Sequence, residues 1–375
     1  MAAAAPLQPS QTPSAAPETL QSAKSLRSIA PSSSPNHKPA LVDGVLLCHR
    51  CHLDIAAPRC ARCSAPIEGR AVRLGEEDDE ESLFHPGCLC CSRCKDVIEG
   101  GDGIRRRGDD LFCTECYLAK FSKPCAVCDA PVGDLAIRDA FGGLMHPQHV
   151  AKLPSCHACR RPCLRERRTT GEDGRVTCAH CATSLVVETD EVREALRTVR
   201  AFFHRSAGVP VENVCASLKL AVFPLAKMRA VCKRLSGSTH SSRSIPLGCT
   251  LTERKGAGGP LRVVGIAVLE TLPRALLLAT LAHELCHAYL ALVPKRTALS
   301  PRSEEGVAEL WAYTYLLSHE DDLPDAKAHA FILDNDESEY GKAFRQALQL
   351  FQSCNCDLAA TMDHVVATGG FGIRA

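Results

Sequence analysis

The residues best suited to chemistry are His283-Glu284-Leu285-Cys286-His287, an H-E-x-x-H pattern. On a helix, positions i and i+4 share a face, so both imidazoles can reach one metal ion, and the glutamate beside them can take a proton from water. The pattern alone is a weak signal, so its surroundings matter. A second chemistry is carried by cysteine. Of 23 cysteines, 17 lie between Cys48 and Cys181, mostly as C-x-x-C pairs. A C-x-x-C knuckle presents two thiolates from one tight turn, and two knuckles close a tetrahedral zinc site. Such spacing points to thiolate–zinc sites in a reducing compartment rather than to disulfides.

The elements that must position the first group can be read around it. Arg274 to Leu292 is a continuous helical stretch, apolar nearly all round, and so a buried central helix. Two histidines and a glutamate on such a helix need a reason, because unpaired buried charge is costly; a metal supplies one. Their presence also argues against a bilayer span. Leu261 to Leu269 reads as a strand just before this helix and is expected at a sheet edge, where an extended substrate could pair with it. Ser300 and Pro301 start a following helix as N-cap and first-turn proline. Upstream, Val192, Leu196, Val199 and Phe203 fall at helical spacing after Thr189-Asp190, the expected N-cap pair.

The helix after Pro301 carries Glu304-Glu305-Gly306-Val307-Ala308-Glu309, with 17 residues between His287 and Glu305. This resembles the gluzincin peptidases, in which the glutamate of an E-G-x-A segment completes the metal site. The resemblance selects Glu305 over Glu304 as third ligand; Glu309, one turn on and facing the same way, is the natural hydrogen-bond partner of a ligand histidine. His283, His287 and Glu305 would hold zinc with one position open, and Glu284 would act as general base and then acid. Tyr340 and His364 are the candidates for donating to the developing oxyanion. Cys286 is read as packing. Cys215, Cys232, Cys249, Cys354 and Cys356 show no ligand spacing beyond the close last pair and are read as core or surface thiols.

The first cysteine block offers Cys60, Cys63, His85 and Cys88, then Cys91, Cys94, Cys113 and Cys116, with intervals of 21 and 18 residues. Its order and spacing resemble the LIM domain, which implies two structural zincs. The second block offers Cys125, Cys128, His146 and His149, then Cys156, Cys159, Cys178 and Cys181. It looks like a LIM domain whose middle spacer is stretched to six residues, with His157, His180 and Cys163 as possible substitute ligands. Cys90 reads as a bystander. Cys48-x2-Cys51 is left over: it could join a site with His52, be a half-site filled by a partner, or do nothing. No independent zinc is expected there, because no second pair remains. The total is about four structural zincs and one catalytic zinc. Sites closed by four protein ligands supply binding surfaces, not chemistry.

The expected fold class is α+β: tandem small zinc-ribbon LIM-type domains, then a mainly helical gluzincin-like metallopeptidase domain with an edge strand before the active-site helix. The expected segments are a disordered Ala/Pro/Ser-rich tail over 1–47, a LIM domain over 58–120, a LIM-like domain over 124–182 and the peptidase domain over 185–375. The acidic run Glu76 to Glu81 reads as a solvated loop. Lys+Arg (44) balance Asp+Glu (43), which argues against a nucleic-acid or membrane partner. The tail has no apolar run of the secretory type, and a cytoplasmic or nuclear location is expected.

The whole arrangement resembles the plant ubiquitin-activated LIM-domain peptidases that limit organ size. The likeness rests on Leu247-Gly248-Cys249-Thr250-Leu251, Leu281-Ala282-His283-Glu284 with His287-Ala288, Leu299-Ser300 with Glu304-Glu305-Gly306, Tyr340-Gly341 with Phe344-Arg345, and Asp363-His364 with Thr368-Gly369 and Phe371. It implies an endopeptidase that clips regulatory proteins, with protein substrates and with ubiquitin or ubiquitin ligases as partners. Residues 1–47 show no ubiquitin-interacting helix of the kind those plant proteins carry. The alternative is a LIM scaffold with an inactive peptidase domain.

Overall fold

The computed structural model describes residues 40–42, 44–74, 82–98, 103–212, 217–236, 245–254, 261–294 and 297–372. The acidic run, Cys215 and most of the expected tail lie outside them. The chain divides into two compact units: one reaches Pro124 and includes Ala130–Asp134, and the other comprises Cys125–Asp129 and Leu135 onward.

The first unit opens with a hairpin, β1 (Ala40–Val42) and β2 (Val45–Leu47), followed by helix α1 (His49–Ala56). The tail expected to run to residue 47 therefore ends earlier. The alternation around Asp43-Gly44 is a hairpin signal, with Gly44 at φ +82°. The LIM domain follows as two hairpins, β3 (Val72–Leu74) with β4 (Ser82–Phe84) and β5 (Ile104–Arg107) with β6 (Asp110–Cys113), closed by α2 (Thr114–Phe121). Its small core is Ile67, Leu74, Phe84, Leu89, Ile98, Leu111 and Phe112, packed round the cysteines.

The second unit starts with the LIM-like module: β7 (Ile137–Arg138), β8 (Leu144–Met145), α3 (Pro147–Lys152), β9 (Arg168–Thr170), β10 (Val176–Cys178) and α4 (Ala179–Ala182). Helix α3 takes up the stretched spacer. Then come β11 (Leu185–Val186), α5 (Thr189–Ala201) running into a π-helical turn, β12 (Lys219–Phe223), α6 (Leu225–Ser236), β13 (Gly248–Arg254), β14 (Leu261–Leu269) and β15 (Leu272–Pro273). Five helices finish the chain: α7 (Arg274–Leu292), α8 (Pro301–Ser318), α9 (Ala326–Asp334), α10 (Glu339–Ser353) and α11 (Leu358–Thr368). Helix α5 begins one residue earlier than expected, with Glu188 as N-cap. Ser300 caps α8 as its sequence implies, its hydroxyl accepting from the Ser303 N–H at 3.0 Å.

Helices α5, α7 and α8 and strand β14 share one apolar core, in which Phe203 stacks on Trp311 at 4.2 Å. Helix α7 is long and apolar enough to cross a bilayer by composition, but most of it is buried in this core. The three-stranded sheet has the order β12-β14-β13. Leu261–Leu269, expected at the edge, is thus the central strand, parallel to β12 and antiparallel to β13. Its near-continuous apolar run is what burial on both sides requires. The edges are Lys219–Phe223 and Gly248–Arg254, and the second of these lies against α7 through Thr250.

The LIM-like module is joined to the helical domain by directed contacts. β11 pairs with β15. The Arg274 N–H donates to the Ser184 carbonyl at 2.8 Å. Arg175 donates to the Glu270 carbonyl at 3.0 Å and to the Thr271 hydroxyl at 2.9 Å. His180 meets Asp325 at 2.7 Å. Leu276, in the first turn of α7, packs on the buried Cys156–Cys181 cluster.

Candidate metal centre

Helix α7 presents His283 and His287 one turn apart, with their Nε2 atoms 3.1 Å from each other. From α8, Glu305 Oε2 lies 3.5 Å from the first Nε2 and 3.7 Å from the second. The other ring nitrogens face carboxylates as well. His287 Nδ1 is 3.1 Å from Glu304 Oε1, and His283 Nδ1 is 3.7 Å from Glu309 Oε1. Proton donation from His287 Nδ1 to Glu304, with Glu309 facing the His283 Nδ1, leaves both Nε2 lone pairs pointing at one space shared with Glu305. Without a cation those lone pairs and that carboxylate would repel, and as paired N–H donors the two Nε2 atoms would do so too. Two imidazoles and a carboxylate converging in this way form a zinc donor set, and these three residues group as one possible metal site.

The electrostatics agree. Burial alone would lower both imidazole pKa values, but the carboxylates reverse it: Glu309 and Glu305 hold His283 well above its usual range, and Glu304 and Glu305 bring His287 up to about 9. Burial pushes Glu305 up, but the two histidines overcome this and hold it well below the usual carboxylate range. The pocket therefore favours positive charge.

Glu284 is buried, and desolvation raises its pKa against the pull of His283 and His287. Its partner comes from β13: Thr250 Oγ1 lies 2.9 Å from Oε2 and 3.0 Å from the Glu284 carbonyl. At the head of the same strand, a Cβ on Gly248 would stand 2.8 Å from Glu284 Cγ. Gly248 thus lets the edge strand press against the acid. Both residues were visible in sequence only within the Leu247–Leu251 segment of the resemblance, because nothing local links them to position 284. Gly306 plays a similar part on α8. A Cβ there would lie 2.6 Å from the Ala343 carbonyl, so glycine lets α10 cross close behind Glu305.

The two oxyanion candidates part company. Tyr340, about half exposed at the start of α10, has its pKa raised by burial and then by the charge of Glu305. His364 instead turns Nε2 to the Gly372 carbonyl at 3.0 Å and is committed to the C-terminal segment. Cys286 is fully buried packing.

All four cysteine-rich groups also come together: Cys60, Cys63, His85 and Cys88; Cys91, Cys94, Cys113 and Cys116; Cys125, Cys128, His146 and His149; and Cys156, Cys159, Cys178 and Cys181. Of the substitutes, His157 and His180 are turned to other partners, while Cys163 is buried against the fourth group. His157 Nδ1 faces the Val176 carbonyl at 3.1 Å, His180 faces Asp325, and the Cys163 thiol donates to the Arg161 carbonyl at 3.1 Å.

Comparison with known proteins agrees with this layout. Residues 184–331 match the family described as DA1-like, Protein DA1, and residues 60–121 match the LIM domain. Protein DA1-related 1 of Arabidopsis thaliana is 25% identical over 387 residues, covering 83% of this chain and 66% of its own length. Protein DA1 of the same plant is 27% identical over 292 residues, 68% of this chain and 52% of its own length. Four and a half LIM domains protein 1 of Rattus norvegicus is 29% identical over 150 residues, 39% of this chain and 49% of its own length. The chain spans from about half to two thirds of the length of these relatives.

Proposed function

We propose that this chain, a LIM-domain protein with a DA1-like domain among homologues of the Arabidopsis DA1 proteins, is a zinc-dependent endopeptidase acting on regulatory proteins linked to ubiquitin signalling. The observation that carries the reading is the convergence of His283 Nε2, His287 Nε2 and Glu305 Oε2 beside a buried glutamate, Glu284. Zinc held by those three residues would acidify water and polarise a peptide carbonyl. Glu284, held by Thr250, accepts the proton of the attacking water and returns it to the leaving amine. Tyr340 donates to the developing oxyanion. Glu304 and Glu309 keep the histidine tautomers fixed. Edge strand β13 runs beside Glu284 and offers backbone groups to an extended substrate. LIM domains generally mediate protein–protein contacts, and the first one recruits substrate, ubiquitin or a ubiquitin ligase in the cytoplasm or nucleus.

The test compares newly formed protein N-termini in cells expressing the wild type or Glu284→Gln, with ubiquitin conjugation intact. N-termini seen only with the wild type support the peptidase and name its substrates. Identical profiles, with zinc still bound to the purified protein, would overturn it.

A further inference from the structure

Cys48 and Cys51 form the one C-x-x-C pair that the four clusters leave over. The structure sets this pair in a frame that it uses twice more. Strands β1 and β2 pair from Ala40↔Leu47 to Val42↔Val45, and Cys48 then caps α1 with its sulfur accepting from the Cys51 N–H at 3.5 Å. Cys113 ends the β5–β6 hairpin and caps α2 in the same way, with 3.4 Å to the Cys116 N–H. Cys178 ends the β9–β10 hairpin and caps α4, with 3.3 Å to the Cys181 N–H. The three capping cysteines have φ/ψ of −63/159°, −67/155° and −70/158°. Each hairpin turns at a glycine of positive φ, Gly44, Gly108 or Gly174. In the second and third cases the frame supplies two of four ligands, Cys113/Cys116 facing Cys91/Cys94 and Cys178/Cys181 facing Cys156/Cys159. Residues 40–56 therefore repeat the frame that carries the C-terminal ligand pair in each of those two sites.

No second ligand pair for it groups among the described residues. Residues 1–47 contain no cysteine, and every other C-x-x-C pair belongs to a cluster. The apolar surface says the same. Leu111, two residues before Cys113, is 7% exposed, whereas Leu46, two before Cys48, is 66% exposed, and Leu41 opposite it is 69% exposed. In the complete domain that position is covered.

We propose that two copies of this chain join through residues 40–56, with Cys48 and Cys51 of each supplying the four thiolates of one shared zinc site. A two-fold axis makes the pair its own complement and completes a tetrahedral all-thiolate set that one copy cannot. The same axis covers Leu41 and Leu46 against their copies. Each thiol gives its proton to solvent as the ion binds, and no electron changes hands. The inference is independent of the peptidase reading.

The experiment measures mass by light scattering and zinc per chain by elemental analysis on the full chain, kept reduced. Wild type is compared with Cys48→Ser/Cys51→Ser, and with Leu46→Glu, which leaves the thiols in place. The wild type is expected at twice the 40.3 kDa chain mass. The double variant should fall to the single mass and lose half a zinc per chain, with the remaining zincs retained as proof of folding. Leu46→Glu should weaken the dimer at least tenfold. A monomeric wild type overturns the proposal. So does a dimer that survives the double variant, or a loss of one whole zinc per chain from a monomer, which would mean the site is completed within one copy.

Discussion

Arg175→Ala tests whether the LIM-like module and the helical domain are one structural unit. Arg175 is 8% exposed, and its guanidinium reaches across from β9–β10 to the turn that feeds α7. It donates to the Glu270 carbonyl at 3.0 Å and the Thr271 hydroxyl at 2.9 Å, and Asp173 holds it from the other side at 2.6 Å. Thr271 has φ +53°, an unfavourable setting for a β-branched residue, so this turn depends on outside support. Each buried hydrogen bond from a charged donor contributes about 1.5–3 kcal/mol. Two are lost, while Asp173 is exposed enough for water to replace part of its pairing, so the net cost is about 3–4 kcal/mol. In a unit of this size each kcal/mol moves the melting temperature by about 2–4 °C, which gives a fall of about 10 °C. Scanning calorimetry reads this directly. Arg175→Lys should recover less than half, because one ammonium cannot span both acceptors. Arg193→Ala, at an exposed i,i+3 pair, should change almost nothing. A shift under about 2 °C for Arg175→Ala would refute the reasoning, since it would mean that the turn holds itself.

Further outcomes follow from other contacts. Thr250→Val removes the hydroxyl beside Glu284 and should lower kcat by about tenfold, with zinc content and KM unchanged. Gly248→Ala drives a methyl group into Glu284 and should abolish peptide cleavage while zinc stays bound. Deleting residues 58–120 should spare cleavage of a short peptide, whereas removing 124–182 as well should destroy it, because Arg175 and the Cys156–Cys181 cluster support α7 and the turn before it. His329 is buried, and desolvation lowers its pKa to about 4. Its folded value lies below the unfolded one of about 6.5, so the unfolded chain takes up the proton first. Its share of stability is intact above about pH 6.5 and falls by about 3 kcal/mol as the pH drops to about 4. Denaturant titrations of His329→Leu across that window should lose this slope.

Much of the site was legible because its rules are local. His283 and His287 are four apart, and any helix puts them on one face. Each C-x-x-C knuckle is a single turn, so spacing alone grouped sixteen ligands into the four clusters seen. Glu305 was chosen over Glu304 through the gluzincin resemblance, and the structure turns Glu305 to both Nε2 atoms and Glu304 to a ring Nδ1. What the sequence left open was non-local. Thr250 lies 34 residues from Glu284 in the chain, and no pattern couples them.

The sequence by itself determined the ligand types, their grouping and the helix that carries the central pair, since helix and turn geometry fix distances over three or four residues. Only the tertiary structure decided which strand lies at the edge. An apolar run such as Leu261–Leu269 reports burial but not strand order. The tertiary structure also decided that His364 holds the Gly372 carbonyl, and that Arg175 and the Cys156–Cys181 cluster are built against the turn and helix that carry His283 and His287. These outcomes rest on contacts between distant segments, each too weak to leave a periodic mark in the chain.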